Sequence, residues 1–283
     1  MKTYRSLRGA ALGLLLAAGA AASAGADTLD SVKSAGKVVA GYANTVPFSY
    51  LDDKGELTGQ AIELARAAFG AMGIAEVEGV LIDFPGLIPA LQASQFDVIA
   101  ASMAIRPARC EQILFSEPYS ALPMVLVYKD GTSGEFSSFE TLAASGASFG
   151  VQSGAVELQL AKAAGVSNIV EFPDLASLRD GVRVGRADVM MSISIAVPST
   201  LEALGAGFSA GPAFAPMVDG KPQVNFQAFG FRKGDEALRD AFNAEVAKMR
   251  ASGELAKLFE PFGITQADID LGASQTLEQL CQP

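Results

Sequence analysis

The sequence has no histidine and no tryptophan, and only two cysteines in 283 residues. Without histidine, the Ser-His-Asp and Cys-His routes of nucleophilic catalysis are closed. Most zinc sites close with them, because two thiolates do not make a usual ligand set. Positive charge is in the minority: 21 Lys+Arg stand against 31 Asp+Glu, a net charge of −10. A chain of that sign is a poor partner for nucleic acid or for an anionic membrane surface. Long hydrophobic runs are scarce. Ala10 to Ala22, built of Ala, Leu and Gly, is 13 residues long, short of the roughly 20 that span a bilayer. No later segment is long and apolar enough either.

What is there begins with that run. Lys2, Arg5 and Arg8 precede it, and Ala24-Gly25-Ala26 fits a small-x-small cleavage site before Asp27. Residues 1–26 read as a secretory signal peptide, with the periplasm as destination. No cysteine at the cleavage site argues against a lipid anchor. Cleavage removes three basic residues and no acidic ones, leaving 18 against 31 and a net charge of −13. The remaining 257 or so residues suffice for one large or two medium domains. Cys110 and Cys281 would meet an oxidising compartment, where an even pair reads as a disulfide; the alternative is two free thiols. Such a bridge ties the C-terminal tail to the first half and would restrict the unfolded chain by roughly 5 kcal/mol.

Strand-like and helix-like runs alternate. Lys37 to Tyr42 is β-rich, and Asp52-Asp53-Lys54-Gly55 is a turn. Thr58 to Met72 carries Ile62, Ala65, Ala68, Phe69 and Met72 at helical spacing. Val77 to Ile82 is a strand, Pro85 to Ala93 a helix with Pro in its first turn, and Asp97 to Ala101 a buried strand. The order implies a mostly parallel sheet covered by helices. It then restarts: helix Phe139 to Ser145, strand Ser148 to Val151, helix Ala155 to Ala164, strand Ile169 to Phe172, a helix capped by Asp174 to about Val184, strand Asp188 to Met191. LIPALQASQFDVIAA (87–101) and LRDGVRVGRADVMM (178–191) share one plan: amphipathic helix, polar turn, Asp, short apolar strand. Two pseudo-equivalent α/β lobes follow. Gln223 to Arg232 reads as a long alternating strand. The helices Asp235 to Ala251 and Gly253 to Phe262 are expected to cover the first lobe. The chain would cross between lobes near Leu122–Lys129 and Gln223–Phe229. That gives lobe 1 as 27–123 with 226–283, lobe 2 as 124–225, and a cleft at the carboxyl ends of the strands.

Arg109 follows the first lobe's buried strand, where a guanidinium can hold a carboxylate bidentately; it could equally be a surface arginine paired with an acid. Gln152-Ser153-Gly154-Ala155-Val156 is a strand-to-helix turn whose free N–H groups suit an anion, although many such turns bind nothing. Together they could grip one carboxylate from both lobes. Phe48 and Phe84 follow strands, where their faces could stack on a ligand, or they are core. Thr45 and Ser102 are small polar residues at the same rim. Asp97 and Asp188 read as turn residues rather than catalytic acids.

Several stretches together resemble the polar-amino-acid-type (family 3) solute-binding proteins of ABC transporters. They are Tyr42 to Phe48, Gly59 to Gly73, Asp83 to Leu91, Phe96 to Ala100, Arg106 to Arg109 and Phe115 to Tyr119. Within that family, Glu78 to Leu81, Arg109-Cys110, Gly154 to Leu158 and Leu280-Cys281 make the chain most similar to the ectoine/hydroxyectoine-binding proteins. The resemblance implies an α/β periplasmic-binding-protein type II fold: two lobes, a two-strand hinge, and a ligand cleft between them. It places Arg109 and the Gly154 turn on the ligand carboxylate, Phe84 on a stacking position and Ser102 on a rim hydrogen-bonding position. It implies ABC permease subunits as partners, no cofactor, and a monomer.

Departures narrow the ligand. Amino-acid binders of the family carry a second-lobe acid for the α-ammonium; here Ile193 stands there, which favours a cyclic or capped zwitterion. The ectoine pattern has an acid where this chain has Thr45 and an aromatic where it has Ala104, so the pocket should be roomier and more neutral. The other ligand class is an ordinary polar amino acid. A cyclohexadienyl dehydratase-like enzyme would need a cleft acid as proton shuttle, and Thr45, Ala104, Ser192 and Ile193 offer none. A receptor's sensory domain is disfavoured by the lack of a transmembrane helix before Pro283. The expectation is therefore a transport receptor, not an enzyme.

Overall fold

The protein is described by a computed structural model covering residues 28–218 and 221–282. The signal-peptide reading of residues 1–26 lies outside the described residues. In the first lobe, the Val-rich strand Lys37–Tyr42 pairs in parallel with Glu76–Leu81 and with Val98–Ala104. The strand Asn225–Phe231 then adds antiparallel to Val98–Ala104, opposite Gln227↔Ala104 and Phe231↔Val98. Leu114–Phe115 and Ser120–Leu122 complete this sheet against Asn225–Phe231. The second sheet runs Ile169–Phe172, Phe149–Gln152, Val189–Ile193, Met124–Lys129, Phe208–Phe214. In both lobes the second strand of the repeat lies outermost, then the first, then the third, then a long antiparallel strand. The internal repeat seen in the sequence is thus a repeat of topology. Both sheets pack helices on their faces, because their inner strands are buried and mostly apolar.

The chain crosses twice between the lobes. Ser120–Leu122 belongs to the first sheet, and two residues later Met124–Lys129 belongs to the second. The return runs from Phe208–Phe214 to Asn225–Phe231.

The helix Gln60–Ala71 buries Ala61, Ile62, Leu64, Ala65, Ala68 and Phe69. Glu236–Ser252 lays Leu238, Phe242, Val246 and Met249 inward. Phe242 packs its ring 5.3 Å from Phe69 and 4.5 Å from Phe229. The last third therefore covers the first sheet, as its amphipathic pattern predicts; truncating Phe242 to Ala would cost about 3–5 kcal/mol. Asp174 caps Leu175–Arg183 by accepting from the Ser177 N–H at 2.6 Å. Leu178 and Val182 of that helix pack with Phe172 and Val127.

Three expectations change. The strand Asn225–Phe231 does not alternate in burial: all seven positions are buried, because it lies inside the sheet with both faces covered. Val98–Ala104 extends past Ala101, so Ser102 and Ala104 sit on the strand itself. The helix expected from Pro85 starts as a 3₁₀ turn, Phe84–Gly86, before Leu87–Gln92. Phe208–Phe214 has no counterpart in the sequence reading. It is an edge strand, where Pro212 can stand without breaking a ladder. The tail adds Gln266–Gly272 and Leu277–Cys281. Cys281 is bridged to Cys110, which anchors the tail to the first lobe.

Candidate functional site

A cavity of about 130 Å³ lies between the lobes at the carboxyl ends of their strands. The first lobe gives it Thr45, Phe48, Phe84, Ser102, Ala104 and Arg109; the second gives Ala155, Val156, Ser192 and Ile193. Gly154 stands just outside the wall and takes part through its carbonyl.

Arg109 is carried by the short helix Pro107–Cys110, which Pro107 starts without wasting an N–H. Its Nη1 donates to the Ala104 carbonyl at 2.8 Å, and its Nη2 donates across the cleft to the Gly154 carbonyl at 3.0 Å. Its guanidinium lies 5.4 Å from the centre of the Phe84 ring. The lobes therefore meet through Arg109. Five N–H donors minus the two so engaged leave three for an incoming acceptor. Burial pushes its pKa down and Glu157 pushes it up; the group remains a cation.

Gly154 makes this approach possible. Its φ is +72°, and a Cβ there would stand 3.3 Å from the Pro85 Cβ of the opposite lobe. The helix Val156–Ala163 begins directly after it, with Ala155 as an N-cap that offers no side-chain bond.

One sequence expectation is corrected here. The cleft is not without an acid: Glu157 lies in the wall. Its Oε2 is shut off from solvent and has no hydrogen-bond partner. Burial raises its pKa above the ordinary carboxylate range, against the pull of its own N–H, Arg109 and Arg106. In the sequence it looks like any acid in a helix's first turn, so only the packing of lobe on lobe reveals it.

The hinge side is polar. Ser102 Oγ donates to Gln60 Oε1 at 3.2 Å, and the Tyr119 hydroxyl donates to Ser102 Oγ at 3.0 Å. Gln60 Nε2 and Ser120 Oγ both donate to Gln227 Oε1, at 3.3 and 2.9 Å. Ser102 holds φ = 48°, an uncommon conformation for a residue with a side chain, and it faces the cavity. Asn225 also lines the wall, with its Oδ1 buried and unpartnered. Asn225 and Gln227 escaped the sequence reading, although polar residues two apart in an otherwise apolar strand are a usable signal. Arg179 lines the wall too. The wall's ionisable groups are two guanidiniums, Arg109 and Arg179, and one carboxylate, Glu157. Arg179 and Glu157 are the two of these that the sequence reading did not place there.

Two α/β lobes, two extended crossings and a cavity between strand ends, bridged by a guanidinium, define a solute-binding protein of the type II periplasmic-binding fold. The model of the bacterial extracellular solute-binding proteins, family 3, matches residues 38–265, and the chain belongs to that family. A probable amino-acid ABC transporter periplasmic-binding protein, y4tE of Sinorhizobium fredii, is 34% identical over 96% of this chain and 91% of its own. Among solved structures, EhuB in complex with hydroxyectoine superposes with a TM-score of 0.80 at 31% identity. It covers 90% of this chain and 98% of its own. The ancestral amino acid-binding protein AncCDT-1, a precursor of cyclohexadienyl dehydratase, gives a TM-score of 0.72 at 29% identity, covering 83% and 98%. The relatives are binding proteins. Among the described residues no helix is long and apolar enough to cross a membrane.

Proposed function

We propose that the chain is an exported, monomeric receptor of an ABC importer that closes on a small zwitterionic solute and hands it to permease subunits in the membrane. The observation that carries this is the Arg109–Gly154 contact: one guanidinium touches both lobes and keeps donors free at the cavity between them. The solute's carboxylate would dock on Arg109, and residues 27–123 with 226–283 would close as one body on 124–225. Phe48 and Phe84 would flank the solute, with Thr45, Ser102, Ala104, Ala155, Val156 and Ser192 as its remaining contacts. Ile193 is buried and apolar in the wall, so the second lobe has no acid at that point for a free α-ammonium. A cyclic or capped solute, ectoine-like or a modified amino acid, is favoured over an ordinary polar amino acid.

Calorimetric titration with ectoine, hydroxyectoine, betaines and amino acids tests this. At least one should bind at micromolar Kd or better, about −8 kcal/mol at 1 μM, with compaction in small-angle scattering. Silence across all four classes would end the reading.

One residue keeps a second reading in view. Glu157 supplies the cleft carboxyl that a dehydratase-like reaction needs, held toward its protonated form. Its place between Arg109 and Arg106 is a structural use of the same group, and we take the protein to be no enzyme. Turnover of prephenate or arogenate by the pure protein would reverse that.

A further inference from the structure

We infer that the second-lobe end of the cavity is an anion subsite built on Arg179, so that the solute carries a second acidic group besides the carboxylate on Arg109. This rests on the carboxylate reading of Arg109 and narrows the solute from zwitterions in general to net-negative ones.

Arg179 sits on the helix Leu175–Arg183, whose Leu178 and Val182 are fixed in the second-lobe core. That helix packs on the helix Val197–Leu204 and on the strand Val189–Ile193. Those two elements place Thr200 and Ser192 in the same wall, with their hydroxyl oxygens 3.1 Å apart. Arg179 Nε is shut off from solvent and has no partner.

The other described arginines all have one. Arg106, Arg109 and Arg250 donate to backbone carbonyls. Arg66, Arg183, Arg232 and Arg239 pair with carboxylates. Arg186 lies over the Phe172 ring. Among the described arginines, Arg179 alone has neither a protein oxygen nor an aromatic ring as partner.

The acids nearby do not supply one. Asp180, the next residue, is exposed and pairs with Arg183 at 2.7 Å. Glu157, the wall's carboxylate, interacts with Arg109 and Arg106 and is held toward its neutral form by burial. What Arg179 does border is the cavity, as one of its lining residues. The Arg179 guanidinium is half-buried, with its Nε closed off and no protein counter-charge, and a partly desolvated cation gains when something pairs with it. A monocarboxylate on Arg109 leaves it unpaired, whereas a solute with a second carboxylate or other oxyanion completes it. An acidic, N-capped amino acid has that chemistry, and ectoine does not.

Acid–amide pairs isolate the second charge. The full chain, Arg179→Ala, Arg179→Gln and Arg109→Ala would be titrated with N-acetyl-L-glutamate against N-acetyl-L-glutamine, and with L-glutamate against L-glutamine. Melting curves would establish that each variant folds. The wild-type protein should bind the acid of at least one pair about tenfold or more tighter than its amide, about 1.4 kcal/mol. Both Arg179 variants should erase that preference by weakening the acid at least tenfold more than the amide, and Arg109→Ala should weaken acid and amide alike. Equal binding of acid and amide to the wild type overturns the inference. So does equal weakening of both by the Arg179 variants, or no binding by any member of either pair. Binding that ignores Arg109→Ala overturns the carboxylate reading beneath it instead.

Discussion

Asp97 and Asp188 make the same bond in the two lobes. Asp97 Oδ2 accepts from the Val39 N–H at 2.9 Å, and Asp188 Oδ2 accepts from the Ser148 N–H at 2.9 Å. Each also returns its own N–H to the carbonyl of that same residue, at 2.8 and 3.0 Å. Both stand just before the third strand of their repeat and tie it to the first, at the strand ends far from the cavity. They set register and take no part in solute chemistry.

Asp188→Ala should therefore lower stability and leave binding alone. It removes the acceptor of the Ser148 N–H and of the Ser148 hydroxyl at 2.6 Å, a loss of about 1–3 kcal/mol. Urea unfolding reads the first effect and titration with a bound solute reads the second. A variant that unfolds normally and no longer binds would show a different role.

Arg109→Ala should do the opposite. The helix Pro107–Cys110 remains anchored by the bridge at Cys110, so the fold should survive. Binding should weaken by about 2–5 kcal/mol, as for a buried charge stripped of its partner. Arg109→Lys should recover only part, since an ammonium lacks the planar fork. An unchanged Kd in Arg109→Ala would remove the carboxylate from this place.

Gly154→Val should hold the lobes apart. The position has φ = +72° and already brings a Cβ to 3.3 Å of Pro85; a left-handed conformation costs a residue with a Cβ about 1–2 kcal/mol, and the extra methyls press on the opposite lobe. At saturating solute, small-angle scattering should give a larger radius of gyration than for wild type, with weaker affinity. Full compaction in the variant would mean that this contact does not govern closure.

Glu157 should make the ligand-free protein more stable in acid than its other carboxylates suggest. Burial raises its pKa in the folded state above the ordinary 4.5, so the folded protein binds this proton more tightly than the unfolded chain. Its favourable contribution is complete below the unfolded value and is lost as pH rises through the folded one. Glu157→Gln should then raise the melting temperature at neutral pH, with the gain shrinking toward zero as pH falls below about 4.5. A gain that grows on acidification would contradict the raised pKa.

The repeat of strands and helices was legible because each lobe buries strands of continuous Val, Ile and Ala between amphipathic helices, and those patterns are local. Arg109 was legible through the short segment after its strand. Glu157 and Arg179 were not. In the sequence, Arg179 stands in LRDGVR beside an acid and a second arginine, which reads as a solvated helix face. Its direction is fixed by the burial of its neighbours Leu178 and Val182 and by the helix packed against it, all matters of tertiary contact. Asn225–Phe231 looked half-exposed for the same reason: the strands and helices that bury it come from distant parts of the chain. Phe208–Phe214 carries Gly211 and Pro212, which read as loop, yet an edge strand tolerates both where it bulges between Ala210 and Ala213.

Cys110 follows Arg109 directly, and the bridge from it holds the helix Leu277–Cys281 against the helix that bears the cleft guanidinium. The tail thus works as a splint behind the hand that grips the cargo. Reductant should loosen that hand before it unfolds the body, so capture becomes conditional on the thiol chemistry of the surroundings.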